Sequence, residues 1–418
     1  MFPCRGWVAP CQRAPGSIKG YRFEVKQCLN VTMAWRIFAA ALLVVVTTLV
    51  MRSHASSVER ADGWDPASAA RYLDARMDVW WTKAKVLRTG DGQTRCLSCH
   101  TAVPYALTRP ALRAVLGETA PTTHESHMLD LVRRRAGSTS ADQPYYDHTG
   151  AKKIESRGVE AVLNAVVLAY LIPDSPSNDP DPHLQAAMTR LWQAQRPDGA
   201  WDWLEFGLEP YEAPDAVYYG ATVAALAAGS ASGSRASSDA NGQAGIERLR
   251  RYLRSSFASQ RLFNKTWALL AASRLDGVLT ASERAATIAE LESRQQASGG
   301  WSMADLGPWR WQRVDAPFAP PGKVDAGLLA APDGYATGLV VHALRRAGVT
   351  SDRASIRKGQ QWLRSQQLPV RADDPAWAPW RAHSLNFDRE HGGEKGEPWR
   401  RMFMSDLATA FAALALLP

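Results

Sequence analysis

Cysteine is scarce. The 418 residues contain five, too few for a disulfide scaffold, and Cys4, Cys11 and Cys28 all precede Met33. Long apolar runs are also missing: the stretch Ile37 to Met51 falls short of the roughly 20 residues a membrane-crossing helix needs, which excludes a polytopic membrane protein. Period-two alternation of apolar and polar residues is nearly absent, which argues against a sandwich or barrel of strands. Charge is lacking where it would count. The formal net charge is +8, but seven cations against the single acid Glu24 lie before Ser56, so the rest of the chain carries only +2. That body offers no electrostatic footprint for nucleic acid. What the chain does have is apolar bulk, with 46% hydrophobic residues and 16 Trp, enough for one large or two medium folded domains.

Met33-Ala34-Trp35-Arg36 supplies a short positive segment, Ile37 to Met51 an apolar one, and Ser53-His54-Ala55 small residues at the −3 and −1 positions. This is the pattern of a secretory signal peptide, predicting export, in a bacterium to the periplasm. An uncleaved signal would instead anchor the protein in the inner membrane, its one expected membrane contact. Signal peptides begin at the initiator methionine, so translation is expected to start at Met33, with residues 1–32 a mis-called upstream extension. The exported chain then begins near Ser56 and keeps only Cys96 and Cys99.

Those two lie in Arg95-Cys96-Leu97-Ser98-Cys99-His100, the C-x-x-C-H signature of c-type haem attachment. Two thiols at this spacing add to the two vinyl groups of one haem, and the adjacent His100 reaches the iron as proximal ligand. Chance occurrence of the pattern is about one in several thousand. The expected cofactor is therefore covalent haem c, held by Cys96, Cys99 and His100. His124, His127, Met128 and His148 follow in a stretch that could fold over the haem, and each is a candidate for the iron's other axial position. Competing readings of the cysteines are a thioredoxin-like redox pair, a disulfide, and a zinc site completed by His124 and His127.

From Asp65 onward, apolar residues recur at i, i+3, i+4 and i+7. The periodicity predicts helices over 67–81, 104–116, 124–135, 157–171, 184–195, 216–228, 243–257, 262–275, 281–296, 334–347, 353–366 and 404–417. Ser230 to Gly245, rich in Ser, Gly and Ala, reads as a flexible surface loop. Pro308 to Pro332 and Leu368 to Pro398 read as long Trp/Pro insertions.

Repeats order these helices. Leu191-Trp192-Gln193-Ala194-Gln195-Arg196-Pro197-Asp198-Gly199-Ala200-Trp201 is echoed by Leu291 to Trp301, and in eroded form by Trp362 to Gln367 ahead of Trp377. Small-residue helices follow Asp215, Asp333 and Asp406. Two alternating helix types imply two layers, hence an all-α fold, an (α/α)6 toroid of about twelve helices with long Trp/Pro-rich loops.

The run Gln195, Gly199, Trp201, with Gln296, Gly300 and Trp301 as its copy, resembles the QW motif of the squalene-hopene cyclase and prenyltransferase repeat superfamily, from about Gly158 to the end. There the motif is structural, the Gln bonding a neighbouring turn while the Trp stacks beside it. The resemblance implies one toroid, yet not the family's chemistry. Its cyclases protonate alkenes with Asp-x-Asp-Asp, and this chain has only Asp373-Asp374 and Asp179-Pro180-Asp181, both in loops. Its zinc-dependent members need a cysteine beyond His100, and none follows. Asp215, Asp333 and Asp406 read as helix N-caps, or as acids facing a cavity. Trp80, Trp81, Trp201, Trp203, Trp309, Trp311, Trp377, Trp380 and Trp399 read as wedges between helices, or, for the loop residues Trp309-Arg310-Trp311, Trp377 and Trp380, as a face for a flat, apolar or sugar ligand.

The organisation expected is therefore an upstream extension (1–32), a signal peptide (33–55), an N-terminal helical segment with the haem motif (56–150) and the toroid (151–418). The expected function is electron transfer, or haem-based redox chemistry on a ligand at the toroid mouth, with an unidentified redox partner. The alternative is a toroid enzyme or binding protein for an isoprenoid or glycan, with Cys96 and Cys99 as a disulfide or zinc clamp. A non-catalytic scaffold is a third reading.

Overall fold

The computed structural model describes residues 63–89, 92–137, 143–172, 180–312, 325–369, 377–386 and 402–418. Residues 1–32, the expected signal peptide 33–55, Asp179, Asp373-Asp374, Trp399 and much of the two Trp/Pro insertions lie outside the described residues. The chain divides after Gly63, and every described helix and strand belongs to the unit Trp64–Pro418.

The described chain is mostly helical, as expected. It opens with α1 (Pro66–Lys83), a hairpin of β1 (Val86–Thr89) and β2 (Gly92–Arg95), α2 (Ala102–Val115), α3 (Thr123–Gly137), α4 (Gly150–Leu171) and α5 (Pro182–Gln193). Next come α6 (Ala216–Ala228), α7 (Ala231–Ala236), α8 (Ala240–Ser256), α9 (Leu262–Ala272), α10 (Ala281–Ser293), α11 (Ala326–Ala330), α12 (Gly334–Arg346), α13 (Ala354–Gln366) and α14 (Phe403–Leu416). Every segment with helical periodicity is a helix. The short α7 and α11 and the hairpin are additions. Ser230 to Gly245 is not the flexible loop its composition suggested: Ser230 and Asp239 cap α7 and α8, and Ser232, Gly233, Ala236 and Gly242 are buried.

Two kinds of helix emerge from burial. α5 buries Leu184, Ala187, Met188, Leu191 and Trp192, a single stripe at helical spacing, and α8 and α13 do the same. α6, α9, α12 and α14 are buried almost all round. α2 packs on α4, α4 on α6, α6 on α9, α9 on α12, α12 on α14, and α14 back on α2. α1, α3, α5, α8, α10 and α13 each lean on one or two members of that set. Small residues permit the close approaches: a Cβ on Gly338 of α12 would stand 2.5 Å from the Ala412 nitrogen of α14. Where the six helices converge, Tyr219, Trp267 and Phe411 meet edge-on at 4.9 and 5.4 Å. Among the described residues no helix is long and apolar enough to cross a membrane.

The repeated helix ends share one construction; the first copy keeps the register read in the sequence and the second lies one residue from it. Gln195 Nε2 donates to Gly199 O and to Gly245 O on the next helix. Gln295, not Gln296, does the same to Gly299 O and Ser355 O. Gly199 and Gly299 both hold left-handed backbone, φ 99° and 95°, against Arg248 O and Lys358 O. Trp201 Nε1 donates to Leu191 O and Trp301 Nε1 to Leu291 O. The third tryptophan of this kind is Trp380, which donates to Leu363 O at 2.8 Å, rather than Trp377.

Candidate functional site

The cysteine pair sits where the hairpin hands over to α2. Four-residue strands of mixed polarity pair Val86 with Arg95, and Cys96 N donates to Lys85 O at 2.9 Å, which carries the chain past the hairpin. Trp80 of α1 donates its indole N–H to Cys96 O at 3.0 Å. Ser98 Oγ accepts from Thr101 N and Ala102 N at 3.1 and 3.0 Å, so the middle of the motif caps α2. The turn places Cys96, Cys99 and His100 on the wall of one cleft.

The two thiols are not bonded to each other. Cys96 Sγ donates to Leu97 O at 3.2 Å, and Cys99 is buried beside Tyr219. Burial pushes both thiols well above their ordinary range, further raised by Glu160 near Cys96 and by Glu212 near both. A dithiol exchange site needs a thiolate near neutral pH, and this pair is held the other way.

His100 is clamped. Its ring stacks on Phe403 of α14 at 3.6 Å and meets Trp80 edge-on at 5.5 Å. Nδ1 lies 3.1 Å from Thr101 Oγ1, and the Thr101 hydroxyl donates to Asp406 Oδ2 at 2.7 Å. The hydroxyl has a single proton and the carboxylate takes it, so Thr101 faces His100 with a lone pair. Nδ1 is then the imidazole's donor, which leaves the lone pair on Nε2. Asp406 also accepts from Tyr72 Oη and Arg76 Nε, both at 2.7 Å. Burial pushes the Asp406 carboxyl up, against the pull of Arg76, Thr101 and Tyr72.

The cleft encloses about 1420 Å³ of empty space, its open mouth included. Its far walls come from α4, from residues 203–212 and from Ser384 and Asn386. Asn386 ties two of these together, accepting from Glu209 N at 2.8 Å and donating to Glu209 O at 2.7 Å. Glu209 is held in turn by Arg261 at 2.8 Å. Glu160 of α4 pairs with Arg135, and burial pushes its carboxyl up. Tyr211 bonds the Tyr335 hydroxyl beneath the floor. Trp80, Leu163, Trp203, Leu204, Phe206 and Phe403 make much of the remaining lining apolar.

Several residues singled out in the sequence lie elsewhere. His124 packs against Asp78 at 3.1 Å, His127 against the Trp81 ring at 5.1 Å, and Met128 of α3 is fully buried. His148 is exposed, stacked 6.3 Å from Phe206. None of the four lines the cleft, whereas Met404 does. Cys96, Cys99, His124 and His127 do not converge as a zinc site, and among the described residues no group of three or more metal-ligating side chains forms. Trp309 and Trp380 are buried wedges, not a ligand face. Trp377 carries the Arg381 guanidinium 3.9 Å above its ring, and Trp311 packs against the core.

The three recurrent aspartates do three different things. Asp333 caps α12, accepting from Tyr335 N and Ala336 N at 2.8 Å. Asp215 makes no cap and pairs with Arg261 at 2.6 Å. Asp406 lies within α14 and serves the His100 network. Sequence reasoning missed Met404, Asn386 and Glu209 as site residues, and read Asp406 as a helix cap or a cavity acid without linking it to His100. No family model matches the chain, and no curated protein is significantly similar to it.

Proposed function

We propose that the chain is an exported c-type haem protein, its haem bound to Cys96 and Cys99 and its iron held by His100, on a single squalene-cyclase-like (α/α)6 toroid. The toroid is supported by the cycle of packed helices from α2 to α14 and back, and by the shared Gln, Gly and Trp construction at the repeated helix ends. Haem supplies one-electron redox chemistry when bound. The chain's own part is to present two thiols and a correctly protonated imidazole to one cleft, to exclude water with Trp80 and Phe403, and to hold the His100 Nδ1 proton against Thr101.

The observation that carries this reading is the common opening of Cys96, Cys99 and His100 onto a single cleft. The polar far wall, with Glu209, Asn386 and Tyr211, favours redox chemistry on a bound ligand over electron transfer alone. The test is expression from Met33 in a host that matures c-type cytochromes, with intact mass and absorption spectrum of the periplasmic fraction. A mass raised by one haem and a Soret band are expected. Haem-free protein would overturn the reading and favour a toroid enzyme or binding protein for an isoprenoid or glycan.

A further inference from the structure

The charged groups on the wall of the haem cleft are of one sign. Glu160, Glu209 and Glu212 line it, and among the described residues no Lys or Arg side chain does; His100 is its one imidazole. The nearest arginines stand behind the lining. Arg261 holds Glu209 at 2.8 Å and Asp215 at 2.6 Å, so one cation serves two carboxylates. Arg135 pairs with Glu160 and lies 4.7 Å over the Tyr145 ring. Burial keeps the Glu160 carboxyl above its usual range even with Arg135 in contact.

The two thiols sense the resulting field. Beyond the effect of burial, Glu160 and Glu212 push the Cys96 thiol up more than Arg135 and Lys85 pull it down, and at Cys99 the charged side chain that acts is Glu212. The space beside them is negative, and desolvated carboxylates there gain from a cation. A second feature lies at the same place. Tyr145 lines the cleft with 7% of its surface exposed, and its hydroxyl has no hydrogen-bond partner among the described residues. A buried hydroxyl left unpaired costs free energy that a ligand's donor recovers. Glu160 and Cys96 both lie close enough to the Tyr145 phenol to act on its charge, so Tyr145, Glu160 and Glu212 gather about one thiol.

We propose that the cleft binds a primary ammonium ligand, an alkylamine or arylalkylamine, its charged group among Glu160, Glu212 and Tyr145 and its hydrocarbon body on Trp203 and Phe206. The proposal rests on the haem reading for its redox setting and names the ligand class of that same cleft. Three acceptors in one place match the three N–H donors of an ammonium group, which has no acceptor of its own. Trp203, Leu204 and Phe206 supply the apolar surface that a hydrocarbon body needs.

Calorimetric titration of the purified full-length protein at neutral pH with benzylamine, benzyl alcohol and benzoate tests this, with the absorption spectrum recorded on the same samples. Benzylamine is expected to bind at least about tenfold tighter than the other two, since a charge-assisted bond to a buried carboxylate contributes about that much. Glu212→Gln should weaken benzylamine by about tenfold and leave benzyl alcohol unchanged. Tyr145→Phe should weaken it by roughly threefold or more. The Tyr145 hydroxyl bonds no described protein group, so this variant should keep the parent melting temperature. Unchanged affinity in either variant, benzyl alcohol or benzoate binding as tightly as benzylamine, or a benzylamine-induced Soret shift that persists in both variants would overturn the assignment, the last because the amine nitrogen then sits on iron. A sample with no Soret band that still binds benzylamine through Glu212 and Tyr145 would remove the haem reading and leave the ligand class standing.

Discussion

The hydroxyl of Thr101 donates to the carboxylate of Asp406 at 2.7 Å across 305 residues of sequence. One bond joins the entry to the first of the six packed helices to the body of the last, and it does so beside His100. The closure of the helix cycle and the protonation of the proposed iron ligand thus share a buried network that includes Arg76 and Tyr72. Hydrogen bonding to the far nitrogen of a ligating imidazole raises its basicity and favours the oxidised metal.

Replacing Thr101 by Val removes the acceptor for Nδ1 while keeping the side chain's shape. The haem midpoint potential is expected to rise by on the order of tens of millivolts, because His100 becomes a weaker donor. Thr101→Ser should restore the parent value. Spectroelectrochemical titration of the three proteins gives the answer, and an unmoved potential in Thr101→Val would remove Thr101 from the iron's environment.

No described cleft residue other than His100 carries an imidazole, and Met404 supplies the one thioether. The haem spectrum should therefore lack a bis-histidine signature. His124→Ala, His127→Ala and His148→Ala should each leave the absorption and electron paramagnetic resonance spectra of the oxidised protein unchanged. A changed spectrum in any of them would place that residue on the iron.

Two buried groups pull the pH dependence of stability in opposite directions. Burial pushes the Asp333 carboxyl up to about 6, from an ordinary value near 3.8. The folded state then holds a proton that the unfolded state has released, so this contribution is present below about pH 4 and is lost as pH rises towards 6. Burial and neighbouring arginines push His342 down to about 3, so its contribution is present above pH 6.5 and is lost as pH falls. Denaturant melts of the parent and of Asp333→Asn between pH 4 and 6 should diverge, the variant gaining stability relative to the parent as pH rises, by at most about 3 kcal/mol. His342→Gln should show the opposite trend. Parallel curves would mean that neither group titrates in this window.

Left-handed glycines are not equivalent. At Gly348, with φ 90°, an added Cβ would have no atom within 4 Å, so Gly348→Ala should cost only the backbone penalty of roughly 1 kcal/mol. At Gly199 the same carbon would lie 2.2 Å from Arg248 O, where α8 crosses the helix end. Gly199→Ala should cost about 3 kcal/mol or more by urea denaturation, since a helix must move. Equal losses would show that the close approach carries no energy.

The helices were legible in the sequence because helical hydrogen bonds are local and their period of 3.6 residues prints directly onto the apolar pattern. The thiol spacing of Cys96 and Cys99 and the adjacent His100 are likewise local. The hairpin before them was not, because four-residue strands of mixed polarity carry too little alternation to be seen until they pair. Register at the second repeat was ambiguous for a related reason: Gln295 and Gln296 sit side by side, as do Gly299 and Gly300, and only the bonds to Ser355 O and Leu291 O choose between them. Likewise, Trp380 rather than Trp377 is the third wedge because its indole is the one that reaches Leu363. The N-cap reading holds for Asp333, but the roles of Asp215 and Asp406 came from tertiary structure, since equal positions in the repeat meet different neighbours. So did the cleft, whose walls meet through Glu209 and Asn386, 177 residues apart. Local hydrogen bonding and side-chain periodicity determined the helices, and the local sequence alone the C-x-x-C-H spacing; burial brought distant polar groups within bonding distance and thereby decided what surrounds His100.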